Sequence, residues 1–177
     1  MLESTTNVYI AFGTNLGDLR QNIRNMLKLL ERCSEEGLRC SSLWCTEPTD
    51  MDSAATDFIN GVVQFETRLE ALDLLQALQQ IEQELGRPSE HGNNESRVID
   101  LDIISFGLLQ MKSENLTVPH KRVAERRFVL APLAELAPHL VLPGFHENVS
   151  VLEKVAPLMR LSRLDTGLSI EQAGDPD

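Results

Sequence analysis

Apolar residues along this chain follow two spacings, which alternate from one segment to the next. Runs with every second residue apolar are typical of strands, and apolar positions three and four apart are typical of one helix face. The predicted elements are, in order, a strand over 8–12, a helix over 19–32, strands over 38–45 and 58–65, a helix over 70–85 and a strand within 96–107. Asp18 is placed to cap the first helix and Gly86 to end the second.

The order β-α-β-β-α-β predicts an α+β fold, a ferredoxin-like sandwich with these two helices on one face of the sheet. Residues 108–116 predict an added hairpin or edge strand. C-terminal helices are expected over 123–136, despite Pro132, and over 151–159. The pattern weakens after Pro143, and residues 172–177 are expected to form a loose tail.

Composition fits a globular protein of one domain. Of the 177 residues, 42% are hydrophobic and 24% are charged, and a chain of this length buries a core without disulfides or structural metal. We expect a single domain over 1–177, with its core over about 8–143 and a C-terminal extension over about 150–177. Residues 1–7 lack the regions of a secretory signal, and no apolar run has the length of a membrane span, which predicts a cytoplasmic protein without a membrane partner.

The strand within 96–107 carries two carboxylates in an otherwise apolar pattern. Ile99, Leu101 and Ile103 share one face, so Asp100 and Asp102 share the other, roughly 7 Å apart. Such a pair suits Mg²⁺, which takes oxygen ligands and is held by one or two carboxylates together with substrate phosphates. The alternative is an ordinary half-buried strand whose outer face is solvated.

The formal net charge of −11 argues against nonspecific binding to nucleic acid or to an anionic membrane. An anionic small substrate would need local cations, and the chain places them beside and after the two aspartates. They are Arg97, His120, Lys121, Arg122, Arg126 and Arg127. The cysteines Cys33, Cys40 and Cys45 lack zinc-ligand spacing and are expected to be buried thiols.

Several short segments together resemble one enzyme family. They are Gly13-Thr14-Asn15-Leu16-Gly17, Phe58-Ile59-Asn60, Glu82 with Gly86-Arg87, Arg97 through Asp102, and Thr117-Val118-Pro119-His120 followed by Arg126-Arg127-Phe128. Over about 8–143 the chain resembles the 6-hydroxymethyl-7,8-dihydropterin pyrophosphokinases. The resemblance implies transfer of the β,γ-pyrophosphate of ATP to the hydroxymethyl group of a reduced pterin, with release of AMP, in folate biosynthesis. It also implies ATP as co-substrate, two Mg²⁺ ions, no nucleic-acid partner, and a monomer or weak homodimer.

The same resemblance implies roles for particular residues. Catalytic roles fall on Arg97, Asp102, His120 and Arg126, and the metal ligands are Asp100 and Asp102. Pterin contacts fall on Thr46, Phe58, Asn60 and Phe128. Nucleotide contacts fall on Gln79, Glu82, Arg97, Ile103, Thr117, His120 and Arg126. From the residues alone other interpretations stay open: Phe58 and Phe128 as core, Gln79 and Glu82 as a solvated helix face, and His120 as a turn residue.

The chain departs from the family just before the aspartates. Where members typically have an Arg-Trp-Gly-Pro-Arg-like run, this chain has Asn93-Asn94-Glu95-Ser96-Arg97, so Asn94 replaces a tryptophan that would stack on the pterin. Lys121 stands where tyrosine is common, and Asn115 where arginine is common. Three functions stay open: a working pyrophosphokinase with an altered lid, a non-catalytic pterin- or nucleotide-binding homologue with a regulatory role, and a nucleic-acid module. The acidic composition and the lack of strand aromatics oppose the third.

Overall fold

A computed structural model describes residues 4–46, 57–86 and 98–164 of the chain. The strands are β1 (Thr6–Thr14), β2 (Arg39–Cys40), β3 (Leu43–Thr46), β4 (Phe58–Thr67), β5 (Asp100–Phe106), β6 (Met111–Lys112), β7 (Thr117–Val118) and β8 (Leu161–Leu164). The helices are α1 (Leu19–Leu30), α2 (Ala71–Glu84), α3 (Arg127–Leu136) and α4 (Val149–Val155), with 3₁₀ turns at Glu31–Cys33 and Val123–Glu125.

The main sheet has the strand order β5-β1-β4-β3-β8, with β2 also paired to β4, and its pairs are antiparallel. The predicted β-α-β-β-α-β order is confirmed, except that the second strand is divided into β2 and β3. The division falls at Ser41, whose N–H donates to Val62 O and whose hydroxyl accepts from Val62 N–H, both at 2.9 Å. The Ser41 side chain thereby replaces one backbone group of the ladder.

Helices cover both faces of the sheet. Helices α1 and α2 pack over Ile10 and its neighbours, with Leu74 fully buried, as expected for the ferredoxin-like core. The predicted C-terminal helices, α3 and α4, take the opposite face, where Leu130 packs with Ala11 and Ile104. Apolar residues of β1 therefore point alternately into two separate cores.

The helix ends follow the predicted signals. Asp18 caps α1, its side chain accepting from Gln21 N–H at 3.0 Å. Gly86, with φ +102°, follows the end of α2 in a conformation that glycine adopts without strain. The predicted helix that contains Pro132 begins at Arg127, and the predicted hairpin is formed by β6 and β7.

The C-terminal extension contributes a strand that the sequence did not predict. β8 pairs with β3 along Leu43–Thr46, and Arg163 Nε donates to Ser42 Oγ at 2.9 Å. Because β8 lies on the outer side of β3, it protects an edge that would otherwise be open. The predicted tail from residue 172 lies outside the described residues.

Two further expectations concern the burial of the cysteines and the absence of a membrane-spanning helix. Cys33 is buried as predicted, whereas Cys40 and Cys45 are half-buried, because both lie in the short strands near the sheet edge. Within the described ranges no helix is both long enough and apolar enough to cross a membrane.

Candidate active site

Three neighbouring strands bring polar residues into one row at the same end of the sheet. Gly13 of β1 lies between Asp100 of β5 and Asn60 of β4. A Cβ atom at Gly13 would come within 3.1 Å of Asn60 Oδ1 and 3.8 Å of Phe58 Cδ1. The missing side chain at Gly13 therefore keeps the space between the aspartate and the asparagine open.

The two aspartates share one face of β5, as the alternation predicts. Leu101 and Ile103 are 6% and 3% exposed and pack in the core under α1 and α2. Asp100 and Asp102 are half-buried on the opposite face of the strand. Their register partners on β1 are Gly13 and Ala11, whose small size leaves room beside the carboxylates.

Asp102 is contacted by two side chains from the segment that precedes α3. Arg126 Nη1 donates to Asp102 Oδ2 at 3.0 Å, and His120 Nε2 lies 3.8 Å from the same oxygen. The guanidinium carbon of Arg126 also lies 5.8 Å from the centre of the Phe128 ring, within cation–π range. The fold therefore brings Asp102, His120 and Arg126 together, although they are distant in sequence.

His120 is oriented by a backbone group. The N–H of Arg122 donates to His120 Nδ1 at 3.2 Å, so we assign the proton of the neutral ring to Nε2, which faces Asp102. Burial lowers the pKa of His120, and the nearby Arg126 lowers it further, while Asp102 opposes both. At neutral pH the ring is therefore uncharged and presents an N–H donor to the space beside Asp102.

Three of the predicted pterin contacts, Thr46, Phe58 and Asn60, lie on β3 and β4, on the other side of Gly13 from Asp100. Asn60 is 6% exposed and donates from Nδ2 to Thr46 Oγ1 at 2.8 Å. Thr46, in turn, is paired with Phe58 across β3 and β4. Phe128 is half-buried and packs against the core under α3 and α4, so the interpretation of Phe128 as a core residue holds for part of its ring.

A cleft of about 210 Å³ opens beside β5, between α2, the β6–β7 hairpin and His120. Three predicted nucleotide contacts, Ile103, Thr117 and His120, line it together with Asp102. Its wall also includes hairpin residues 113–116, of which the sequence reasoning had singled out only Asn115. The available signal was their position immediately before Thr117 in a predicted hairpin.

The two predicted nucleotide contacts on α2 differ in environment. Gln79 is exposed, consistent with either of its interpretations. Glu82 is only 5% exposed, and its Oε1 accepts from Leu101 N–H at 2.7 Å. A solvated helix face is therefore wrong for Glu82, because the edge of β5 lies over this position.

Arg97 and residues 93–96 of the divergent loop lie outside the described residues. Within the described part of the chain, no three His, Cys, Asp or Glu side chains form a metal-binding group. Asp100 and Asp102 are a pair, and a pair of carboxylates suits a cation whose remaining ligands are water and substrate oxygens.

Fold and site together define a class: an α+β sandwich with paired carboxylates, an arginine and a histidine, and a cleft of small-molecule size at the edge strand. The family model described as 7,8-dihydro-6-hydroxymethylpterin-pyrophosphokinase (HPPK) matches residues 9–138. The chain belongs to this family.

Individual relatives agree with this assignment. The chain is 42% identical over 150 residues to the folic acid synthesis protein fol1 of Schizosaccharomyces pombe, a match that covers 82% of this chain and 20% of that one. It is 42% identical over 137 residues to the 2-amino-4-hydroxy-6-hydroxymethyldihydropteridine pyrophosphokinase of Pseudomonas aeruginosa, covering 77% and 83%. The crystal structure of Plasmodium falciparum HPPK-DHPS A437G has a similar fold, with TM-score 0.69 at 14% identity, over 86% of this chain and 45% of that one. The chain thus spans a fifth of fol1 and most of the bacterial relative.

Proposed function

We propose that this chain transfers the β,γ-pyrophosphate of ATP to the hydroxymethyl group of 6-hydroxymethyl-7,8-dihydropterin, as in folate biosynthesis. The hydroxyl oxygen bonds to the β-phosphorus, and the bond from that phosphorus to the oxygen bridging to the α-phosphate breaks. AMP leaves with that oxygen, and the hydroxyl proton passes to solvent. The observation that carries the proposal is that Asp102, His120, Ile103 and Thr117 line one cleft in a member of this family.

Transfer of this kind depends on positioning and on cations placed against phosphate charge. Arg126 presents a planar fork of donors that suits phosphate oxygens, and it already donates to an anionic oxygen, that of the Asp102 carboxylate. His120, neutral with its proton on Nε2, can donate a further hydrogen bond without changing its charge. Arg97 is proposed to act with them on the basis of the family resemblance.

Asp100 and Asp102 fit a magnesium site, because their carboxylates share a face opposite two small residues of β1. We propose that they hold two Mg²⁺ ions together with the phosphates of ATP. When bound, these ions neutralise phosphate charge. The two aspartates contribute the anionic ligands that fix where the nucleotide phosphates lie.

The pterin is proposed to lie at the Asn60 end of the row, with the edge of its ring against the Asn60 and Thr46 side chains. The hydrogen bond from Asn60 Nδ2 to Thr46 Oγ1 fixes the amide, so Asn60 Oδ1 faces the space beside Gly13. An oriented buried amide rejects analogues that leave it unpaired. Phe58 and Phe128 are proposed to contact the ring faces, and Gln79 the nucleotide.

The proposal is tested by incubating the protein with ATP, Mg²⁺ and reduced hydroxymethylpterin and separating the nucleotides by chromatography. We expect AMP to appear only when the pterin is present. ADP as the sole product would refute pyrophosphate transfer, and release without pterin would indicate an ATPase. Tight binding of both ligands without AMP would favour the non-catalytic alternative. A cytoplasmic location and a monomer or weak homodimer remain predictions, the second testable by light scattering.

A further inference from the structure

The backbone N–H of the residue between the two aspartates is held by a side chain from another element. Leu101 separates Asp100 from Asp102, and its N–H donates to Glu82 Oε1 at 2.7 Å. Glu82 lies near the end of α2 and is 5% exposed. This N–H belongs to the Asp100–Leu101 peptide, so the bond fixes the backbone directly after Asp100 and one residue before Asp102.

Burial of Glu82 calls for a physical reason. The neighbouring buried positions of α2, Leu74, Leu78 and Ile81, are apolar, and an apolar residue at position 82 would continue their stripe. A buried carboxylate is costly unless hydrogen bonds compensate for lost hydration. β5 is the edge strand of the main sheet, so N–H groups on its outer side have no strand to bond and need another acceptor. Glu82 supplies that acceptor at Leu101.

The backbone just before β5 is held from the other side. Val98 O accepts from Thr14 Oγ1 at 2.5 Å and from Asn22 Nδ2 at 3.2 Å. Thr14 is fully buried, and Asn22 also donates to Leu16 O at 2.8 Å. The backbone on both sides of Asp100 is therefore fixed by side chains of β1, α1 and α2.

We propose that Glu82 is a positioning residue that acts through the Leu101 amide to set the spacing of the Asp100 and Asp102 carboxylates for Mg²⁺. This inference rests on the proposed function, which makes the aspartate pair the cation site. It gives Glu82 a role different from the nucleotide contact implied by resemblance. Residues that orient metal ligands typically change metal affinity about 10- to 100-fold when replaced.

The test compares three replacements of Glu82 with a control on the same helix. Glu82→Gln keeps an acceptor oxygen at the same reach, so we expect the Mg²⁺ concentration for half-maximal effect to change by less than about threefold. Glu82→Leu removes the acceptor and Glu82→Asp shortens it, so we expect that concentration to rise about 10- to 100-fold. Glu84→Gln changes an exposed residue paired with Arg32 and should have no effect.

Two measurements separate positioning from contact. Calorimetric binding of a nonhydrolysable ATP analogue over a range of Mg²⁺ concentrations gives the Mg²⁺ dependence, and the same titration in EDTA gives nucleotide affinity alone. Hydrogen exchange of the Leu101 amide, followed by NMR, should become faster in Glu82→Leu and Glu82→Asp. If Glu82→Leu does not fold, Glu82→Asp provides the same comparison.

Two outcomes would overturn the inference. Weaker binding in EDTA for all three variants, with unchanged Mg²⁺ dependence, would mean that Glu82 contacts the nucleotide itself. The second outcome is that the wild type produces AMP but Glu82→Leu and Glu82→Asp show the same Mg²⁺ dependence as the wild type. This would mean that the Leu101 bond does not set the spacing of the two carboxylates. Absence of AMP from the wild type would instead refute the proposed function, and the binding measurements would still decide the role of Glu82.

Discussion

Replacement of Asp102 by asparagine tests whether this residue is a metal ligand or only contributes to the stability of the fold. In the folded protein Asp102 accepts from Arg126 at 3.0 Å, and its side chain is 38% exposed. An ion pair at such an exposed carboxylate contributes at most about 1 kcal/mol. The asparagine oxygen can still accept from Arg126, and removal of one of two like charges on the strand face offsets part of the loss. We therefore expect Asp102→Asn to change unfolding free energy by less than about 1 kcal/mol.

Ligand binding supplies a larger signal against this small change. A ligand at 100 times its Kd stabilises the folded state by about 2.7 kcal/mol, which for a domain of this size is roughly 5 to 10 °C in Tm. The substitution itself should shift Tm by no more than about 4 °C. Loss of several kcal/mol of charge stabilisation by the metal corresponds to at least about a 100-fold fall in rate. Effects on stability and on function should therefore separate clearly.

The assay is thermal unfolding of the wild type and of Asp102→Asn, each with a nonhydrolysable ATP analogue, with and without Mg²⁺. We expect Mg²⁺ to raise the Tm of the wild type with nucleotide further than nucleotide alone does. Asp102→Asn should lose this additional increase and should also lose AMP formation. Asp73→Asn, an exposed change on α2, serves as the control. Near-normal turnover by Asp102→Asn, or an equal Mg²⁺ effect on its Tm, would return Asp102 to the role of an ordinary solvated strand residue.

Three further predictions concern the single residues His120, Cys40 and Asn60. Because burial lowers the pKa of His120 below its ordinary 6.5, the unfolded chain takes up a proton there first, so stability is lost as pH falls below about 6.5. Thermal melts from pH 7 to 5 should show less of this loss in His120→Asn than in wild type or in His146→Asn. Burial, with a contribution from Glu135, raises the pKa of Cys40 to about 12, so iodoacetamide at pH 8 should modify Cys40 only after unfolding, as mass spectrometry would show. Asn60→Ala removes a buried hydrogen bond and should cost about 1 to 3 kcal/mol in urea unfolding and weaken pterin binding measured by fluorescence.

The sequence allowed the face of each aspartate to be predicted because a strand has a fixed period of two. Leu101 and Ile103 had to face the core, and this requirement placed Asp100 and Asp102 on the opposite side. The contact of Arg126 with Asp102 does not follow from spacing, because it depends on how the segment after β7 returns to the sheet. Only the family resemblance implied that these residues share a site.

Other features could not be predicted because they depend on partners distant in sequence. β8 is short, with only two apolar residues, and it becomes a strand by pairing with β3. The break between β2 and β3 comes from the Ser41 hydroxyl, which periodicity does not show. From helical spacing alone, Glu82 could lie on a solvated helix face. It is buried because its hydrogen-bond partner is a backbone N–H on β5, which spacing does not reveal.

The site lies where α3 begins, and this position links the active-site geometry to the second core. Arg126 and Phe128 flank Arg127, whose Nε donates to Glu153 Oε1 of α4 at 2.8 Å. The start of α3 is thereby tied to α4, while Leu130 and the following turns pack against the sheet. With a net charge of −11, the long-range field of the protein repels a triphosphate. Under the proposed function, nucleotide binding therefore relies on short-range contacts, which we propose to come from Arg126 and from cations held by Asp100 and Asp102. The rigidity of this end of α3 would then contribute to binding.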